Sequence, residues 1–280
     1  MRADDHPPRD DRVLPFTRGL SLFIVPFLVV AWVILYLFPD HTARVWAWPI
    51  PTTMTSMVLA SAYLGGAYFF VRVSGEQQWH HTGTGFLAVT TFATLLGIAT
   101  LLHWDKFLHS HLAFWLWAGL YFTTPFLVVG AWLANRRYAA PPAAGDVLLR
   151  PAERWVIAVV GLAALVTGAV MFLVPSMVIE RWPWPLTPLT CRVIAAVFCL
   201  GGAGVGTLLD PRWSSLRLML QVEVVMLVLI LVAAVRARDE MISGRPLTWP
   251  LLVGLLAMLA GSAYLWVAYE LRPRPVAPAA

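Results

Sequence analysis

Charge is what this 280-residue chain has least of. Asp, Glu, Lys and Arg make up 12% of it, half of the roughly 25% found in a soluble domain. That leaves too little polar surface to cover a water-exposed globule, so the solvent is lipid. Cysteine is nearly absent. Cys191 and Cys199 lie on one predicted helix about 12 Å apart, too far for a disulfide, and read as buried free thiols. Ten-residue apolar/polar alternation is missing, which excludes a transmembrane β-barrel. No Walker loop, nucleotide-binding Gly motif, H-E-x-x-H or G-x-S-x-G is present, which argues against an ATP-driven pump or a familiar intramembrane hydrolase. The net charge of +5 and pI near 9.6 come from basic residues spread through loops, so no nucleic-acid partner is expected.

What the chain does have is hydrophobic residues, 59% of the total, and a mean hydropathy of +0.72. Eight apolar segments emerge, at about 20–38, 53–73, 84–103, 112–134, 155–174, 189–209, 216–235 and 249–269. A span needs about 20 apolar residues to cross a hydrocarbon core about 30 Å thick. Without water to satisfy the backbone, each must be a helix. The run from Leu20 to Phe38 is too long for a signal core and is read as a retained first span. The expected fold class is therefore all-α, a polytopic membrane protein of about eight helices, with the bilayer as its first partner.

Charge sets the orientation. One side carries Arg2, Arg9, Arg12, Arg18, Arg72, Arg136, Arg137, Arg150, Arg154, Arg212, Arg217, Arg272 and Arg274. The other carries Arg44, Lys106, Arg181, Arg192, Arg236, Arg238 and Arg245. The richer side is expected to be cytoplasmic, with both termini inside a cell membrane of the bacterial inner-membrane type.

An internal repeat is legible at an offset of 136. Trp46-Ala47-Trp48-Pro49-Ile50 matches Trp182-Pro183-Trp184-Pro185-Leu186, Pro39 matches Pro175, and Leu64-Gly65-Gly66-Ala67 matches Leu200-Gly201-Gly202-Ala203. The pattern predicts two parallel four-helix units, 20–134 and 155–270. A cytoplasmic linker at 135–154 joins them, and tails at 1–19 and 271–280 flank them, with no gap in the register. The W-x-W-P turn followed by a Leu-Gly-Gly-Ala helix resembles a bacterial multi-pass membrane family with no assigned function. The resemblance covers residues 44–67 and 180–203 and implies no catalytic residues.

Candidate sites follow from residue type. Trp46, Trp48, Trp182 and Trp184 precede spans 2 and 6 and read as anchors in the headgroup layer, where an apolar ring with a polar N–H is at home. Gly65, Gly66, Gly201 and Gly202 read as helix-packing positions, since a missing side chain lets backbones approach. His103, Asp105, His109 and His111 crowd one outer loop. They are suitable ligand types for a divalent metal, although the spacing matches no strong signature, and no other cofactor is predicted. Glu223, beside Gln221, is a charge inside a span, expected about two turns from the cytoplasmic boundary. A carboxylate there is protonated, paired or facing a wet cavity. At the offset of 136 it matches Leu87, while His81, His103 and His109 match Arg217, Asp239 and Arg245. Chemistry is thus expected where the halves differ. Pro26 and Pro125 read as tolerated kinks.

The leading functional expectation is a small-solute or proton-linked transporter or a membrane ligand binder. The alternatives are an accessory subunit of a membrane complex, with other membrane proteins or a second copy as partners, and a His-dependent metal-binding membrane enzyme. The topology is directly testable. With Cys191 and Cys199 replaced by Ala, single Ser110→Cys and Ser214→Cys variants should react with a membrane-impermeant maleimide from opposite faces, Ser110 from outside. Labelling of both from one face would refute the arrangement.

Overall fold

A computed structural model describes residues 10–270. Eight helices in it are long and apolar enough to cross a bilayer: Pro15–Leu37, Thr53–Gly75, Gly83–Leu102, Leu112–Tyr138, Pro151–Leu173, Pro188–Leu208, Trp213–Arg236 and Thr248–Glu270. They are numbered spans 1 to 8. The chain is an all-α, multi-pass membrane protein. Pro15 and Pro151 open spans 1 and 5, where proline's fixed φ suits a first helical turn and its missing N–H costs nothing. Pro26 and Pro125 lie inside continuous helices.

Two expected boundaries move. Residues 10–19 are not all tail: span 1 begins at Pro15, and Asp11 is buried with φ +53°, a left-handed conformation that Asp tolerates better than most residues. The linker is likewise held. Its Leu148 pairs with Arg212 in an isolated bridge, as Arg12 pairs with Gln78.

Extensive packing joins span 1 to 2, 2 to 7, 7 to 8, 5 to 6, 6 to 3 and 3 to 4, with a smaller contact between 2 and 6. Two polar clamps at the cytoplasmic end close the remaining gaps. The Asn135 amide of span 4 donates to Thr17 Oγ1 of span 1, and its Oδ1 accepts from the Leu14 N–H at 2.9 Å. The Tyr269 hydroxyl of span 8 donates to Glu153 of span 5 and accepts from the Arg150 N–H at 2.9 Å. The helices thus run in the closed order 1-2-7-8-5-6-3-4.

Glycine sets the closest approaches. A Cβ on Gly161 would stand 2.6 Å from the Gly201 carbonyl, one on Gly168 would stand 2.6 Å from Cys199 Sγ, and one on Gly201 would stand 2.7 Å from Ala164 Cβ. Gly65 meets Met226 of span 7 and Gly66 meets Leu28 of span 1, while Gly202 faces Leu165. All four glycines singled out from the sequence therefore sit at helix contacts. Span 6 departs from α-helix there: Leu200–Leu208 is a 3₁₀ helix of nine residues. Such runs rarely exceed three or four residues, and Gly201, Gly202, Gly204 and Gly206 weaken the α alternative.

Polar pairings recur along the chain at two offsets, not one. Leu108 N–H donates to the Ala47 carbonyl at 2.9 Å, and Ile242 N–H to the Pro183 carbonyl at 2.7 Å. The acceptors are 136 residues apart and the donors 134. His111 Nδ1 contacts the Trp46 carbonyl at 3.4 Å, where Arg245 donates to that of Trp182 at 2.8 Å. Two residues are thus gained in the first loop between spans 2 and 3. The expected gapless register is corrected accordingly: Glu223 stands opposite Val89, and His111 opposite Arg245.

Gly161→Ala should cost about 1–3 kcal/mol of stability through overpacking. Gly254→Ala, where a Cβ meets open space, should be neutral or stabilising by up to about 1 kcal/mol. Thermal unfolding in detergent separates the two. Equal midpoints would show that spans 5 and 6 are not held by this contact.

Candidate functional site

Glu223 lies ten residues beyond Trp213, the start of span 7, so about 15 Å along the helix. That puts it near mid-bilayer, deeper than the two turns expected. It shares a helix face with Leu216, Leu220, Leu227 and Ile230, at the spacings i, i+4 and i+7 that align residues on one side. Leu216 and Leu220 pack with Leu265 and Tyr269 of span 8, so this face looks toward spans 5, 6 and 8. The opposite side of span 7, with Val222 and Met226, packs on Gly65 of span 2.

Glu223 lines a cavity of about 780 Å³ to which all eight spans contribute. The surroundings on its side are small and apolar: Val160, Gly161 and Ala164 of span 5, Gly201 and Gly204 of span 6, Met258, Gly261 and Ser262 of span 8. On the other side the lining is aromatic, with Trp46, Tyr63, Phe92, Trp117 and Tyr121, whose two phenols hydrogen-bond each other at 2.8 Å. Glu223 is the single charged residue among the described lining. The cavity is not sealed. Val156 and Val160 of span 5 line it yet are 63% and 43% exposed, and so does Leu116 of span 4 at 47%. Above their cytoplasmic clamps, spans 5 and 8 and spans 4 and 1 leave the cavity open toward the hydrocarbon.

No described side chain hydrogen-bonds or ion-pairs with Glu223. An uncompensated charge at this depth costs about 2.5–3.5 kcal/mol on the insertion scale, so its complement must come from a proton, water or a ligand. Gln221 is not part of this site. Two residues away on a helix, it points elsewhere and accepts from the Tyr68 hydroxyl at 2.9 Å.

The outer-loop residues do not converge. His103 Nε2 accepts from Arg192 Nη1 at 2.7 Å, Asp105 pairs with Lys106 at 2.8 Å, and His109 packs on Trp104 and Phe114. His111 goes to the Trp46 carbonyl. Among the described residues no group of three His, Cys, Asp or Glu side chains is placed to hold a metal. The loop spacing brought the four close in sequence, but each is drawn off by a different partner.

The tryptophan reading is corrected. Trp46, Trp48, Trp182 and Trp184 are all buried, packed inside the protein and not turned to a headgroup layer. The Thr42 hydroxyl accepts from the Ile50 N–H at 3.0 Å and folds the turn back into the bundle. There Trp48 meets Trp117 at 4.7 Å between centroids and Trp182 meets Trp184 at 5.2 Å. Trp184 Nε1 donates to Thr55 at 2.9 Å.

One constellation had no signal in the sequence. Asp11 contacts His80 Nδ1, and His80 Nε2 lies 3.0 Å from Ser214 Oγ. The order matches a carboxylate–base–hydroxyl relay, but the cavity does not reach Ser214. The three residues tie the N-terminal strap, the loop after span 2 and the start of span 7. The chain matches no family model, no curated protein and no solved structure.

Burial, then the Arg192 cation, push His103 below its ordinary value of 6.5. The folded state therefore holds fewer protons than the unfolded chain just below that value. This contribution to stability is full above about pH 6.5 and is lost as pH falls. His103→Asn keeps an acceptor for Arg192 without titrating. Its melting temperature should drop less than wild type's between about pH 7.5 and about pH 5.5. Parallel profiles would remove His103 from the account.

Proposed function

We propose that the protein is a membrane-embedded ligand binder and transporter, with the central cavity as its site and Glu223 as its polar contact, which also carries a coupled proton. The observation behind this is the unpartnered Glu223 carboxyl in an otherwise uncharged cavity of about 780 Å³. Two features support it. The carboxyl stands near mid-bilayer, where repeat-built transporters hold their substrates. The volume also falls in the range of small-molecule sites.

The same proposal includes a tandem duplication of a four-helix unit, in a bacterial-type cell membrane with cytoplasmic termini. Spans 1 and 5 start 136 residues apart, as do spans 4 and 8. Contacts between spans 2 and 7 are mirrored by spans 6 and 3. Thr17 and Asn135 correspond to Glu153 and Tyr269 in the two clamps. All three support a pseudo-two-fold axis along the membrane normal.

A second reading, an accessory subunit, rests on span 8. It is the least buried of the eight, and Gly254 and Gly261 have open space around them, which would admit a partner helix. The metal-enzyme reading has no converging donors behind it among the described residues.

An apolar carbodiimide, which reaches carboxyls through lipid, should modify Glu223 in reconstituted protein in preference to the paired Glu153 and Glu270. Peptide mass spectrometry reads the adduct, and Glu223→Gln should abolish it. If Glu223 stays unmodified in intact protein, the carboxyl does not face an accessible cavity and the reading fails.

A further inference from the structure

We propose that the ligand of the Glu223 chamber is a lipophilic monovalent cation, an ammonium or phosphonium on an apolar body, which enters from the hydrocarbon and exchanges against a proton. The inference rests on the transport reading above and names its substrate class.

Charge balance comes first. No Lys, Arg or His is among the described residues lining the cavity, so the protein supplies no counter-ion for Glu223. Spans 2, 3, 6 and 8 pack on span 7. The charged groups on them lie at their ends and are engaged or exposed: Arg192 holds His103 at the outer side, Glu270 holds Arg217 at the cytoplasmic side, and Arg72 is solvent-exposed. The titratable groups facing the cavity are Tyr63 and, from span 4, Tyr121, and these satisfy each other. The positive partner therefore arrives from outside the protein.

The lining then selects its body. Gly161, Ala164, Gly201, Gly204, Met258 and Gly261 offer no polar atoms to replace the hydration shell of a small inorganic ion, a sugar or an amino acid, whose desolvation would go uncompensated. An apolar molecule carrying one diffuse charge loses little hydration and gains the carboxylate. The opening beside Val156 and Val160 faces lipid, where such molecules concentrate. The aromatic wall of Trp46, Phe92 and Trp117 suits the same class, since ring faces attract cations.

One carboxyl cannot hold a proton and an organic cation together. Binding one must release the other, which is the linkage that exchange requires.

The test is equilibrium binding of radiolabelled tetraphenylphosphonium to purified protein in detergent, repeated with the slimmer tetrabutylammonium. Wild type should bind at least one of them, with apparent affinity falling by up to about tenfold for each pH unit on acidification. Glu223→Gln should lose both the binding and the pH slope while keeping the wild-type elution volume and melting temperature. Glu223→Asp should keep the slope. Binding that is unchanged in Glu223→Gln, or independent of pH, overturns the cation proposal. If neither cation binds but the carbodiimide still modifies Glu223, the substrate class is wrong and the cavity reading stands. If both fail, the two fall together.

Discussion

The approach of Gly161 to the carbonyl of Gly201 is the contact on which the second half of the molecule depends. In lipid no water is expelled when helices meet, so association rests on how closely backbones can pack. Here spans 5 and 6 meet with no side chain between them. That contact draws span 6 into its glycine-rich 3₁₀ segment and brings Gly201 and Gly204 to the cavity wall. The space those residues leave empty is the space Glu223 looks into.

The two halves share a scaffold and divide the chemistry. Each has a Trp-Pro turn folded inward, a bridge near its start and a cytoplasmic clamp. The first half fills its side of the cavity with aromatic rings and keeps an ordinary α-helix where the second has 3₁₀. The second half carries the lone carboxyl. Even the clamps differ, an amide with a hydroxyl in one and a phenol with a carboxylate in the other. Packing demands constrain both copies alike, whereas a ligand needs only one of them to change.

The helices were legible because lipid enforces long apolar runs, and each predicted segment lies within a few residues of its span. Glu223 was legible for the converse reason, since a charge inside such a run stands out. The tryptophans were misread because composition says that a ring sits near the outer boundary but not whether the turn carries it outward or inward. That choice is made by Thr42 bonding across eight residues to Ile50. The outer-loop histidines misled in the same way: proximity in sequence did not foretell that Arg192, from a different span, would claim His103. Asp11, His80 and Ser214 are brought together only by the tertiary fold, across more than a hundred residues between His80 and Ser214, and left no local trace.

The 3₁₀ segment of span 6 also bears on hydrophobic matching. Span 6 has 21 residues, against 24 in span 7. As pure α-helix it would rise about 31 Å, a turn short of its neighbour's about 36 Å. Nine of its residues rise at about 2.0 Å each, which brings the total to about 36 Å. The stretched turns let a shorter sequence reach the same two surfaces, so the bilayer need not thin around span 6 and its mismatch cost is removed.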